Sequence, residues 1–155
     1  MKREFNSEAA LTGAAANLAK RWRDNDVTTL CVGLRGPLGA GKTTWVRAAL
    51  AGLGYGGRVP SPTYTLLEEY CVNALTLVHL DLYRFNDPGE LEYLGVRDRF
   101  GESGVWFFVE WPERAPSLLE KCDLVLDFAP VGATGRRVTF SAQTRVGDAA
   151  LEHVR

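Results

Sequence analysis

The chain has 155 residues, of which 46% are hydrophobic and 24% charged. That length fits one domain around one core, residues 1–155, and that balance excludes an intrinsically disordered chain. The net charge of −1 supplies no basic field, which argues against a self-sufficient nucleic-acid binder or a ligand of anionic membranes.

The amino terminus, MKREFNSEAA, has no apolar core of signal-peptide type, and no apolar stretch approaches a membrane span of roughly 20 residues. Residues 7–23 repeat apolar side chains at helical spacing (Leu11, Ala14, Ala15, Leu18, Trp22), with Ser7 as N-cap. Residues 27–34 are β-branched and apolar and predict a strand buried on both faces. A glycine-rich turn follows, then a helix over 44–53 closed by Gly54. After a loop at 54–63, residues 64–71 and 75–82 predict a hairpin turning at Val72–Asn73–Ala74. Asp87–Pro88 has the form of an N-cap with proline at the first helical position, and the helix runs through Leu91 and Leu94 to about Gly95.

Residues 105–110 form another continuous apolar strand, 124–129 and 136–142 a second hairpin, and 148–154 a short terminal helix. Strands mixed with helices, some buried on both faces, predict an α/β fold, a three-layer sandwich whose mixed sheet is flanked by helices. Cys31, Cys71 and Cys122 form no C-x-x-C pair, and Cys31 and Cys122 lie in apolar runs. Buried reduced thiols and a cytoplasmic location are the expectation. His79 and His153 are scattered and add no metal-site spacing. The basic groups Lys20–Arg21–Arg23 and Arg136–Arg137 read as solvated faces.

Gly36-Pro37-Leu38-Gly39-Ala40-Gly41-Lys42-Thr43 satisfies G-x-x-x-x-G-K-[ST] and sits between an apolar strand and a helix, where the mechanism requires it. Glycines let the backbone curl with its N–H groups inward, a nest for phosphate oxygens, and the helix adds unpaired amides and its positive dipole end. Lys42 supplies a charge for the β- and γ-phosphates, and the Thr43 hydroxyl is a hard oxygen suited to Mg²⁺. Pro37 has no N–H, so the amides from Gly39 through Ala40, Gly41, Lys42 and Thr43 to Thr44 carry the binding. A P-loop protein also needs a carboxylate for the metal and its waters. Asp81 and Glu110 each end an apolar strand, where α/β sheets face their ligand crevice. The sequence leaves open which of the two contacts Mg²⁺ and which orients the attacking water; the more uniformly apolar run before Glu110 favours Glu110 for the metal and Asp81 for the water. Trp111 either stacks on the nucleotide base or caps the core.

Four segments together resemble the TsaE (YjeE) family, the ATPases of bacterial threonylcarbamoyladenosine tRNA modification. They are Gly39-Ala40-Gly41-Lys42-Thr43-Thr44, Ser61-Pro62-Thr63-Tyr64-Thr65-Leu66, His79-Leu80-Asp81-Leu82-Tyr83-Arg84 and Glu110-Trp111-Pro112-Glu113, with Glu90-Leu91-Glu92-Tyr93-Leu94-Gly95 as further support. The resemblance implies a mixed-sheet P-loop fold using ATP and Mg²⁺. It implies a partner assembly, TsaB with TsaD, which carries out the transfer and through which tRNA is engaged indirectly. It makes 61–64 a switch loop with Thr63 at the γ-phosphate, supports Trp111 on the base side, and offers Arg136 and Glu8 as nucleotide contacts. Two departures stand out: Pro37 replaces the family's usual aspartate, and Leu11 occupies a position where the first helix usually has threonine, with Thr12 one residue off.

The leading expectation is therefore a P-loop ATPase, slow alone and completed by partners. A small-molecule kinase would need an arginine-bearing lid, for which only Arg97–Asp98–Arg99 is available. A GTPase would need N-K-x-D, which is absent from the chain. A nucleotide-gated adaptor, in which binding alone drives assembly, is the remaining alternative.

Overall fold

The strands with the longest apolar runs lie at the centre of the sheet, and the polar ones at its edges. The computed structural model describes residues 1–155 except Ser61, Thr63, Pro88 and Arg155. Its strands are β1 (Lys2–Phe5), β2 (Thr29–Arg35), β3 (Leu67–Val72), β4 (Leu75–Asp81), β5 (Val105–Glu110), β6 (Leu124–Val131) and β7 (Gly135–Ala142). The helices are α1 (Glu8–Asp24), α2 (Lys42–Gly52), α3 (Gly89–Tyr93), α4 (Pro116–Leu119) and α5 (Arg145–Glu152).

Among the described residues these strands form one seven-stranded sheet in the order β1-β7-β6-β2-β5-β4-β3. β4, β5, β2 and β6 run parallel to one another, while β3 pairs antiparallel with β4, β7 with β6 and β1 with β7. The expected α/β fold with a mixed sheet is what the chain adopts.

Alternation along the central strands builds the layers, because successive side chains leave opposite faces of a strand. Leu30, Val32 and Leu34 of β2, with Trp106 and Phe108 of β5, join Trp22 of α1 and Trp45 and Leu50 of α2 in one core, to which Ala150 of α5 also belongs. Cys31, Val105, Phe107, Val109 and Val125 face the other way, onto Leu91 of α3, Val96 and Leu118 of α4. Trp22 stacks edge-on against Trp106 and donates its Nε1–H to Ala150 O, 2.9 Å away, so α1, β5 and α5 are fixed together. Where α1 crosses α2, Gly52 leaves no room for a side chain: a Cβ there would lie 2.2 Å from Ala16 O.

Several boundaries differ from expectation. β1 was not expected; three of its four residues are exposed, so it lacks an apolar signal, and it is held by pairing with β7. β3 starts at Leu67 rather than residue 64 because Leu66 takes a left-handed turn, φ 61. α2 starts at Lys42, earlier than 44, and α5 starts at Arg145, where Thr144 Oγ1 accepts from Gly147 N. The helix expected from Asp87–Pro88 starts at Gly89 and ends at Tyr93; Pro88 itself lies outside the described residues. The short helical turns Pro112–Arg114 and Pro116–Leu119 gave too few residues for a periodic pattern. Ser7 does cap α1, its Oγ accepting from Ala10 N at 3.1 Å. Cys31 and Cys122 are buried and Cys71 is exposed.

Candidate phosphate-binding site

Strand β2 ends at Arg35, and the chain turns through residues 36–41 before α2 begins. Gly36, Gly39 and Gly41 take φ values of 139°, 72° and 106°, a region that side-chain-bearing residues rarely enter, and this lets the loop fold back on itself. The loop lies at the carboxyl end of parallel β2, β5 and β4, with the first turn of α2 open toward a cleft of about 630 Å³. That is an ordinary volume for a small-molecule site.

Into this cleft the sheet brings the charged residues singled out above. Lys42 is buried; its Nζ donates to Gly36 O at 2.6 Å and Pro37 O at 2.9 Å, and lies 4.3 Å from the centre of the Trp111 ring. Burial pulls its pKa down from the ordinary lysine value, while Glu110, Asp81 and Glu113 oppose the shift. Asp81 and Glu110 are register partners at the ends of β4 and β5, both almost wholly buried. Asp81 Oδ1 accepts from Tyr83 N at 3.0 Å. Burial raises the Asp81 pKa from its ordinary value, the Tyr83 amide works against this, and the Glu110 charge adds to it.

Thr43 Oγ1 donates to Glu110 Oε1 at 2.7 Å, and His79 Nε2 lies 2.8 Å from the same oxygen. This donor set suits Mg²⁺. With its proton directed at Glu110, the Thr43 hydroxyl keeps its lone pairs for a cation, beside a hard carboxylate. Among the described residues no group of three His, Cys, Asp or Glu side chains is placed to cage a metal. An ion here would need phosphate oxygens and water to complete its shell, which is the usual habit of Mg²⁺.

The remaining expected residues distribute as follows. Gly39, Gly41, Thr44, Trp111, Arg136 and Glu8 line the cleft. Gly36 and Ala40 stand behind it: Gly36 packs against Phe128 O, and Ala40 is buried. Arg136 supports the loop, its Nε donating to Ala40 O at 3.1 Å and its Nη2 to Gly39 O at 3.2 Å. Trp111 has left-handed backbone, φ 58, and its backbone N–H donates to Leu34 O at 3.1 Å, which ties the main chain after β5 to β2 and leaves the ring beside the lysine ammonium. Thr63 and Ser61 lie outside the described residues. Leu11 lines the cleft, while Thr12 is turned away and bonds to Ala9 O.

Sequence reasoning had not assigned Ser7, Leu38, Tyr83, Ala133 or Thr134 to the cleft. Ser7 and Thr134 come from segments distant in sequence that only the β1–β7 pairing brings together. Tyr83 carried a usable signal, standing two residues after Asp81. In the sequence His79 is a scattered histidine; its contact with Glu110 depends on β4 and β5 being neighbours in the sheet.

A family model described as "Threonylcarbamoyl adenosine biosynthesis protein TsaE" matches residues 5–138. The chain belongs to the TsaE family. Among its relatives, the tRNA threonylcarbamoyladenosine biosynthesis protein TsaE of Haemophilus influenzae is 42% identical over 118 residues, 76% of this chain and 73% of that protein. The Bacillus subtilis protein of the same name is 37% identical over 139 residues, 90% and 80% of the two chains. The crystal structure of Bacillus subtilis YdiB superposes with a TM-score of 0.75 at 25% identity, covering 99% of this chain and 93% of that one. The family suggested by the four sequence segments is thus the one to which the TsaE model assigns the chain, and the fold is shared with a solved structure. No described helix is long and apolar enough to cross a membrane.

Proposed function

We propose that this chain is an ATP-binding and ATP-hydrolysing subunit that supports threonylcarbamoyladenosine modification of tRNA. Its ATP cycle turns over or resets a TsaB–TsaD transferase complex in the cytoplasm, and tRNA is met indirectly through that complex. The observation that carries the reading is the convergence of Lys42, Asp81 and the Thr43–Glu110 pair on one cleft at the mouth of a P-loop.

The division of labour follows from these contacts. The loop amides from Gly39 to Thr44 bind phosphate oxygens, and Lys42 exchanges its bonds to Gly36 O and Pro37 O for the β- and γ-phosphates. Thr43 and Glu110 hold Mg²⁺, which when bound neutralises phosphate charge. Asp81, whose proton affinity is raised by burial, orients the attacking water and takes its proton. Arg136 keeps the loop in shape through two of its carbonyls and contacts the nucleotide together with Trp111 and Glu8. Thr63, carried over from the family resemblance, contacts the γ-phosphate.

Reconstituted tRNA modification tests the proposal. With TsaB and TsaD supplied, the wild-type chain should support repeated rounds of modification, and Lys42→Ala should not. A Lys42→Ala chain as competent as wild type would remove ATP from the account. An Asp81→Asn chain without hydrolysis but with full support would replace the hydrolysing subunit by the nucleotide-gated adaptor.

A further inference from the structure

His79 is wholly buried in the middle of the apolar β4, where a polar ring carries a desolvation cost unless it is bonded. It pairs in register with Phe108 and so stands diagonal to Glu110, two residues further along β5. Its Nε2 lies 2.8 Å from Glu110 Oε1, and its Nδ1 has no hydrogen-bond partner among the described residues.

Those two facts fix the tautomer. A proton on Nδ1 would leave a buried N–H unpaired and aim the Nε2 lone pair at a carboxylate oxygen, two penalties at once. A proton on Nε2 removes both. Glu110 Oε1 then accepts two hydrogen bonds, from His79 Nε2 and from Thr43 Oγ1. With Oε1 held from the sheet on one side and from α2 on the other, rotation of the carboxylate is restrained, which leaves Oε2 for a ligand in the cleft that Glu110 lines.

We infer that His79 is a positioning residue: its Nε2–H holds the Glu110 carboxylate in the orientation that Mg²⁺ requires. The inference rests on the proposed Mg²⁺–nucleotide reading of this cleft. It assigns to a buried histidine, through one hydrogen bond, the role that outer-sphere partners of ligating carboxylates commonly play. His79 touches neither nucleotide nor metal.

The test compares wild type, His79→Phe, which keeps a ring without a donor, and His79→Gln, whose amide nitrogen can reach the place of Nε2. Binding of a fluorescent ADP is measured with and without Mg²⁺, by titration and without turnover. Wild type should bind more tightly with Mg²⁺. His79→Phe should need tenfold or more Mg²⁺ for that gain with its Mg²⁺-free affinity unchanged, and His79→Gln should restore most of it. An unchanged Mg²⁺ requirement in His79→Phe, or parallel losses with and without Mg²⁺, would overturn the positioning role. A wild type that gains nothing from Mg²⁺ would instead overturn the metal reading on which the inference rests. Imidazole ¹⁵N NMR of the wild-type chain needs no variant to fold: a protonated Nε2 is expected, and a proton on Nδ1 alone would contradict the proposal.

Discussion

Lys42 Nζ lies 4.3 Å above the ring of Trp111, the residue that directly follows Glu110. The ammonium is thus bounded by two loop carbonyls on one side and by an aromatic face on the other, a cation–π arrangement of the usual geometry. Any phosphate that recruits Lys42 must change what Trp111 sees.

Of the four tryptophans, Trp22, Trp45 and Trp106 are buried in the core, and Trp111 alone is partly exposed. Adding ATP should therefore change tryptophan emission in the wild-type chain, and the change should vanish in Trp111→Phe. A full signal retained by that variant would place the responding indole elsewhere and detach Trp111 from the phosphate end of the cleft.

Asp81→Asn separates catalysis from stability. Turnover should fall about 10²- to 10⁴-fold, the usual contribution of a positioned base. The sign of the stability effect follows from linkage. Burial raises the Asp81 pKa in the folded chain above its ordinary value of 3.8, so the folded state holds the proton more tightly than the unfolded one. Asp81 then costs stability as pH rises from about 3.8 through the raised folded value, after which the cost stays constant. Asparagine keeps the oxygen that accepts from Tyr83 N and never ionises. Melting curves at pH 7 should show Asp81→Asn above wild type, with the gap closing as pH falls through that window; a variant less stable at pH 7 would contradict the burial argument.

How far the sequence carried can be judged from particular residues. The P-loop was legible because its glycines, lysine and threonine are local, and β5 because an apolar run ending in Glu110 is continuous in sequence. The β3–β4 hairpin was legible for the same reason, its turn at Asn73 taking φ 56. β1 was hidden because Lys2, Arg3 and Glu4 face solvent, and what holds that strand is backbone pairing with β7 far along the chain. The Thr43–Glu110 and His79–Glu110 bonds span 67 and 31 residues. No spacing rule reaches them; the strand order does.

Cysteine chemistry follows from the same packing. Cys31 Sγ lies 3.7 Å from Cys122 Sγ, and that contact, with burial second, pushes the Cys31 thiol well above its ordinary value. A thiol reagent at pH 8 should label Cys71 alone in the folded chain and all three cysteines after denaturation. Rapid labelling of Cys31 or Cys122 under native conditions would show that the β2 side of the core opens readily.

The α1–α2 crossing should be intolerant of even a methyl group. Because a Cβ at Gly52 would lie 2.2 Å from Ala16 O, Gly52→Ala should cost about 1–3 kcal/mol in urea unfolding, the usual penalty of overpacking. A neutral Gly52→Ala would mean that the two helices separate without cost.

The measurement closest to the central claim is phosphate release from ATP by the purified chain, alone and with TsaB and TsaD, with Lys42→Ala as control. Slow release alone, faster release with the partners and none in the variant is the predicted result. No release under any condition while ATP remains bound would contradict hydrolysis as this chain's function.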